Sequence, residues 1–268
     1  MKRVYLEITD ACNLNCPFCT YPKGNVFLTY EQIEDYVGQI KPFCDYLYLH
    51  MIGEPLLHPD FDRILDLLDR KEMKLQLVTN GTLLERYPDL TEHSCLRKLS
   101  VSLHSISRSA VSDSYFDVID QLIEKDRQAV LELRFYDREH LDEKLQSYLS
   151  LLEKKYPFQP TSKSDSYRLN ANTYVYFAKL FEWPSLNSPF ISDSGTCHGA
   201  IDMIAINSRS EVTLCCLDPE AYNSIGNLEK QKLSQILSSD AYQEQIAAFR
   251  SHKIKNALCQ RCSYRLRF

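Results

Sequence analysis

The feature that most limits what this chain can fold into is Cys12-Asn13-Leu14-Asn15-Cys16-Pro17-Phe18-Cys19, a C-x3-C-x2-C spacing on the loop after the first β-pattern. Thiolates suit iron–sulfur clusters and zinc, and a cubane of four irons held by only three cysteines leaves one iron open to a ligand that is not protein. The chain of 268 residues carries ten cysteines in all. It shows no signal-peptide pattern and no apolar run of membrane-spanning length, so a cytoplasmic, reducing setting is expected. There, metal or redox chemistry accounts for cysteine better than disulfides do. A formal net charge of −5 gives no general attraction to phosphate backbones or anionic lipid, which argues against nucleic-acid or membrane partners. With 44% hydrophobic and 25% charged residues, disorder and collagen-like repetition are excluded. For the cysteine loop itself, a zinc site completed by His50 or His58 is the alternative.

Residues 4–9 alternate apolar and polar as a half-buried strand does. Thr29-Tyr30-Glu31-Gln32 has the form of a capping box and is followed by Ile33, Tyr36, Val37 and Ile40 at helical spacing. Strand patterns at 46–51, 75–78, 99–103, 130–135 and 173–178 then alternate with helical ones around 61–68, 116–123 and 141–152. This order predicts an α/β fold on a parallel sheet, open or curled into a partial barrel, with ligands at the carboxyl ends of the strands. The Pro- and Ser-rich stretch 183–195 marks a boundary between a core at 1–195 and a second domain at 196–268. In that domain 203–206 and 212–215 flank the turn Asn207-Ser208-Arg209-Ser210, and one amphipathic helix carries Leu233, Ile236, Leu237, Tyr242, Ile246 and Phe249. So small a domain needs a staple.

The cysteine run, with aromatic Phe18 before its last cysteine, resembles the signature of the radical S-adenosylmethionine (AdoMet) superfamily. So do Met51-Ile52-Gly53-Glu54-Pro55 after the second strand and Val78-Thr79-Asn80-Gly81-Thr82 after the third. Ile52 departs from the pattern, which has glycine there. The resemblance implies a partial TIM-like (β/α)6 barrel and a [4Fe–4S] cluster on Cys12, Cys16 and Cys19 whose open iron is chelated by AdoMet. It places Gly53, Glu54 and Pro55 at the methionyl amine, with Phe18, Thr79, Asn80, Ser102 and Arg134 as further cofactor contacts. The activity implied is reductive cleavage of AdoMet to a 5′-deoxyadenosyl radical that removes a hydrogen atom from substrate, fed by a flavodoxin- or ferredoxin-type electron donor.

Cys197, Cys215, Cys216, Cys259 and Cys262 crowd the carboxy-terminal part. A hairpin pair plus a closing C-x-x-C can converge on one tetrahedral or cubane centre, the staple this domain lacks. The segment, with Ile225-Gly226-Asn227-Leu228 before its helix, resembles the SPASM and twitch extensions of radical AdoMet enzymes, and among them the small aminocyclitol-oxidising dehydrogenases. The resemblance implies an auxiliary [4Fe–4S] cluster on Cys197, Cys259, Cys262 and one of the adjacent pair Cys215 and Cys216, the 18-residue step from Cys197 favouring Cys215 and leaving Cys216 a packed thiol; a structural zinc ribbon is the alternative. Four cysteines on four irons leave no vacancy, so such a centre takes an electron from a substrate radical instead of binding substrate.

The expected function is therefore oxidation of a small polyol or amino-sugar-like molecule. A maturase of a ribosomally made peptide, and a non-catalytic zinc or iron–sulfur binding protein, are the competing readings; no separate leader-binding module is read ahead of the first strand. Among other residues, His50 and His104 read as core or loop histidines, and Tyr174 and Tyr176 as packing or cavity lining. Glu7 and Glu132 are strand carboxylates whose facing the period does not fix. The basic run from Arg250 reads as a solvated face.

Overall fold

A computed structural model describes residues 1–19, 21–106, 111–112, 114–136 and 138–267. In chain order its elements are β1 (Arg3–Leu6), α1 (Tyr30–Ile40), β2 (Tyr46–Tyr48), α2 (Phe61–Arg70), β3 (Lys74–Thr79), β4 (Leu96–Ser102), α3 (Tyr115–Glu124), β5 (Val130–Tyr136) and α4 (Glu143–Lys155). There follow β6 (Gln159–Pro160), β7 (Ser166–Arg168), β8 (Thr173–Ala178), β9 (Met203–Ile206), β10 (Glu211–Thr213), β11 (Ser224–Asn227), α5 (Leu233–Ser238), α6 (Asp240–Arg250) and α7 (Ala257–Gln260). Two compact units result: Met1–Cys12, Pro17–Met73 and Phe181–Phe268 form one, Asn13–Cys16 and Lys74–Leu180 the other. No helix among the described residues is long and apolar enough to cross a membrane.

In the first unit β1 pairs in parallel with β2 on one side and with β9 on the other. β10 and β11 continue antiparallel from β9. Val4, Leu6 and Ile8 are fully buried, but Tyr5, Glu7 and Thr9 between them are buried too, so this segment is covered on both faces and not half-buried as its alternation predicts; Ile33, Tyr36, Val37 and Ile40 form the buried side of α1. That helix begins at Thr29, whose hydroxyl accepts from Gln32 N–H while the Gln32 side chain accepts from Thr29 N–H. β1 is shorter than its alternation: beyond Leu6 the chain leaves the ladder, and Ile8 to Asp10 pair with a returning segment, Thr9 bridging Phe27 and Leu28 N–H donating to the Ile8 carbonyl. Because β9 lies against β1, the carboxy-terminal hairpin shares the sheet of the first strand. The single helix expected after it is broken at Ser239, whose side chain accepts from Tyr242 N–H and starts α6 as an N-cap.

The second unit carries β3, β4, β5 and β8 as consecutive parallel partners. β7 runs antiparallel on β8 and β6 antiparallel on β7. Leu131, Leu133 and Phe135 bury one face of β5. The opposite face carries Glu132, Arg134 and Tyr136. In register, Ser100, Glu132 and Tyr174 form one layer on that face and Ser102, Arg134 and Tyr176 the next; side chains two residues apart on a strand point the same way.

Candidate active site and metal centres

The Gly-Glu-Pro loop packs against the end of the first strand through backbone alone. A Cβ on Gly53 would lie 1.9 Å from the Thr9 carbonyl oxygen. Glu54 N–H donates to the Ala11 carbonyl at 2.8 Å, and the buried Glu54 carboxylate accepts from Leu56 N–H at 3.1 Å, capping the short turn that Pro55 opens. Ile52 engages its surroundings through the backbone: its N–H donates to Glu7 Oε1 at 2.9 Å and its carbonyl accepts from Lys23 Nζ at 3.0 Å. The close approach falls at position 53, so glycine is obligatory there and a side chain is tolerated at the half-exposed position 52. Gly53→Ala is accordingly expected to cost about 1–3 kcal/mol and to weaken AdoMet binding. Ile52→Gly should cost about 1 kcal/mol or less, through backbone entropy. Thermal unfolding and equilibrium dialysis with AdoMet check both.

In the second unit the Thr79-Asn80-Gly81 turn holds the cysteine loop. Asn80 Nδ2 donates to Asn13 Oδ1 at 3.0 Å, and Asn80 Oδ1 accepts from Thr82 N–H at 2.9 Å and from its hydroxyl at 2.7 Å. Asn13 Nδ2 closes the ring by donating to Thr82 Oγ1 at 2.7 Å. Gly81 has φ +82°, where a Cβ would also meet Val101 Cγ1 at 2.8 Å. Thr79 Oγ1 accepts from Gly81 N–H at 3.0 Å. Thr79 and Asn80 thus shape the loop that presents Cys16, whose thiol donates to the Ser105 carbonyl at 3.4 Å. Ser102 is buried. Arg134 is half-buried, and its Nε is shielded from solvent without a hydrogen-bond partner among the described residues. An orphaned guanidinium nitrogen fits an anionic group such as the AdoMet carboxylate. His104 stacks on Tyr136 and bonds through Nδ1 to the Arg134 carbonyl at 3.1 Å; burial and then the Arg134 charge push its pKa down to about 3, so it stays neutral.

Cys12 and Cys19 belong to the first unit and Cys16 to the second; all three, with Phe18, are half-buried. Three thiols within eight residues, on a loop pinned at Asn13 and with Lys23 Nζ 2.7 Å from Cys19 Sγ, fit the donor chemistry of an iron–sulfur cluster. No group of three Cys, His, Asp or Glu among the described residues closes on a single-ion site.

Cys197, Cys215, Cys259 and Cys262 act on one another electrostatically. Burial raises each thiol's pKa first, to about 12 at Cys259. Cys197 and Cys262 add to the rise at Cys259, and Cys216, then Cys259 and Cys197, to that at Cys215. Gly199 lies between two of them, with its N–H donating to Cys197 Sγ at 3.4 Å and its Cβ position 3.6 Å from Cys215 Cβ. Asn223 Nδ2 approaches Cys259 Sγ at 3.6 Å. Buried thiols that resist losing protons alone become good ligands once a metal centre takes their charge. Cys216 packs on Tyr5, Met51 and Ala205 and bonds with the Tyr5 side chain, while staying within electrostatic reach of Cys215 and Cys197. The basic tail departs from a solvated face at one position. Arg250, Lys253, Lys255 and Arg267 are exposed, but Arg265 is buried, donating to the carbonyls of Cys259 at 3.0 Å, Ser192 at 2.8 Å and Ser194 at 3.1 Å. Its charge holds down the pKa rise at Cys259 and Cys262. Sequence reasoning missed Lys23 and noted Glu7 without its partners, which are set by tertiary contacts.

The Radical SAM superfamily model matches residues 6–133, and the SPASM model, an iron-sulfur cluster-binding domain, matches residues 197–263. Residues 6–133 thus form a radical SAM domain and 197–263 an SPASM domain, and the two imply AdoMet and [4Fe–4S] clusters as cofactors. It is similar to GTP 3′,8-cyclase of Aquifex aeolicus (strain VF5), 31% identical over 117 residues, but the match spans only 40% of this chain and 36% of the cyclase. Its fold is that of BtrN, solved in complex with AdoMet and 2-DOIA, with a TM-score of 0.64 at 17% identity over 97% of this chain and 92% of that one. Streptococcus suis SuiB bound to precursor peptide SuiA gives a TM-score of 0.60 at 14% identity, over 97% of this chain and 70% of that one. The fold class is α/β with a parallel-strand sheet of the partial TIM-like kind.

Proposed function

We propose that this enzyme oxidises a small molecule bearing hydroxyl or amino groups, with Cys12, Cys16 and Cys19 holding the AdoMet-binding cluster and Cys197, Cys215, Cys259 and Cys262 an auxiliary one. With both groups bound, the first supplies hydrogen-atom abstraction and the second a sink for one electron. The observation that carries the reading is that Cys197, Cys215, Cys259 and Cys262 gather within electrostatic reach of one another; four thiols on four irons would leave no corner for substrate. Glu132, between Lys98 Nζ at 2.6 Å and Ser100 Oγ at 3.2 Å, gives the polar sheet face donors and acceptors suited to hydroxyl and amine groups, one layer from Ser102 and Arg134. Arg134 and Ser102 would hold the AdoMet carboxylate or ribose, and the Gly53-Glu54-Pro55 loop its amine. A flavodoxin- or ferredoxin-type protein would deliver the electron that starts each turnover.

The test is anaerobic reconstitution of the full chain, iron and sulfide analysis, and an assay for 5′-deoxyadenosine and oxidised product with an aminocyclitol probe. Cys259→Ala is expected to keep AdoMet cleavage while product formation falls to background; product formation undiminished in that variant, or stoichiometric zinc in place of iron, overturns the reading. A peptide maturase is the second reading, favoured by the likeness in fold to SuiB with its bound peptide; oxidation of a peptide but of no aminocyclitol decides for it.

A further inference from the structure

Lys23 has no part in the reading above, yet the fold is built to place it. After the cysteine loop the chain turns back along the end of the first strand. Gly24 N–H donates to the Asp10 carbonyl at 3.3 Å, and the Asp10 carboxylate, itself buried, accepts from Val26 N–H at 2.8 Å. Gly24 has no room for a side chain, since a Cβ there would stand 2.0 Å from Asp10 Oδ2. The residue before it is thereby fixed. Lys23 Nζ donates to Cys19 Sγ at 2.7 Å and to the Ile52 carbonyl at 3.0 Å, both partly buried. Ile52 N–H donates in turn to Glu7 Oε1 at 2.9 Å, and Glu7 Oε2 accepts from Ser208 N–H at 3.2 Å. One ammonium joins a thiol of the cysteine loop to the backbone of the Gly-Glu-Pro loop, and that backbone is tied to the turn between β9 and β10.

We propose that Lys23 is a positioning residue of the N-terminal centre, its ammonium on Cys19 Sγ raising the reduction potential of that centre while its second bond seats the Gly-Glu-Pro loop. The proposal rests on the reading that Cys12, Cys16 and Cys19 carry a cluster. Reduction adds negative charge to a thiolate-held centre, and a cation with an N–H···S bond favours the more negative state. Partial burial keeps that interaction from being screened as it would be in bulk water.

The experiment is a potentiometric titration of the reconstituted full chain without AdoMet, followed by electron paramagnetic resonance, on wild type, Lys23→Met and Lys23→Arg. At equal iron content, the reduced-to-oxidised ratio of the N-terminal cluster in Lys23→Met is expected to drop roughly tenfold at the wild-type midpoint. Lys23→Arg, which keeps charge and donors, should stay near wild type. A fully loaded Lys23→Met with the wild-type midpoint overturns the proposal. Should that variant not retain iron, Lys23→Gln replaces it with the same expected drop, and an unshifted midpoint there overturns it equally. A wild-type chain whose N-terminal cysteines bind no cluster is a separate result, which takes down the parent reading and this proposal together.

Discussion

Cys16→Ala is expected to bring reductive AdoMet cleavage to background and to lower the iron from about eight to about four per chain, each cubane holding four irons. The effect is this large because a three-cysteine cluster has no spare ligand: one thiol lost leaves two irons open, and the centre is not held. The fold itself should notice little. Cys16 is half-buried on a loop, and its thiol gives up one long bond to the Ser105 carbonyl at 3.4 Å. The loop keeps its anchor through Asn13, Asn80 and Thr82. Unfolding of the cluster-free chain should therefore shift by about 1 kcal/mol or less. Cys44→Ala makes the contrast. Its thiol is buried beside Tyr46, so that variant should lose stability while keeping full iron and cleavage. Iron and sulfide analysis with chromatographic assay of 5′-deoxyadenosine reads both, and Cys16→Ala protein with undiminished iron and cleavage would defeat the assignment.

The parallel strands were legible because their apolar residues recur at period two, a pattern that burial follows closely on β3 and β5, while β1 and the end of β4 are buried on both faces. Val4, Leu6 and Ile8, or Leu131, Leu133 and Phe135, could not be exposed without cost, and the helices between them repeat Ile33, Tyr36, Val37 and Ile40 in the same way. β6 and β7 escaped because strands of two and three largely polar residues carry no period. The helix break at Ser239 escaped because the apolar spacing continues across it while a single hydroxyl decides for a new N-cap. The cysteine spacing identified the metal chemistry, since thiols clustered on loops have few other uses. What spacing could not tell was orientation. Cys215 and Cys216 are neighbours: spacing from Cys197 favours Cys215, and Cys216 packs on Tyr5, Met51 and Ala205. Lys23, and the partners of Glu7, were out of reach for a related reason: Glu7 meets backbone groups 45 and 201 positions away, a pairing no local pattern encodes.

Glu7 gives the enzyme a pH dependence of its own. The side chain is 1% exposed, and Oε1 and Oε2 accept from the N–H groups of Ile52 and Ser208. Burial pushes its pKa up from an ordinary value near 4.5 to about 7; those two N–H groups restrain the rise, and the Asp10 carboxylate adds to it. Arg209, 3.6 Å from Asp10, offsets part of that repulsion. Between pH 4.5 and 7 the folded chain then holds a proton that the unfolded chain has released. Stability must therefore fall as pH rises through this window, by about 3 kcal/mol in total, and the contribution is gone above it. Glu7→Gln has no such proton to lose. Denaturant unfolding of wild type and Glu7→Gln at pH 5.5, 6.5, 7.5 and 8.5 should show the variant gaining on the wild type with each step to pH 7.5 and little beyond. Parallel curves would mean that Glu7 is not buried as described. Glu7→Ala should behave differently, because it strips the acceptor from two N–H groups held away from water, at about 1–3 kcal/mol each and at every pH. Since one of those groups is Ile52 N–H, the same variant should also loosen the Gly-Glu-Pro loop and raise the Kd for AdoMet, which equilibrium dialysis measures directly.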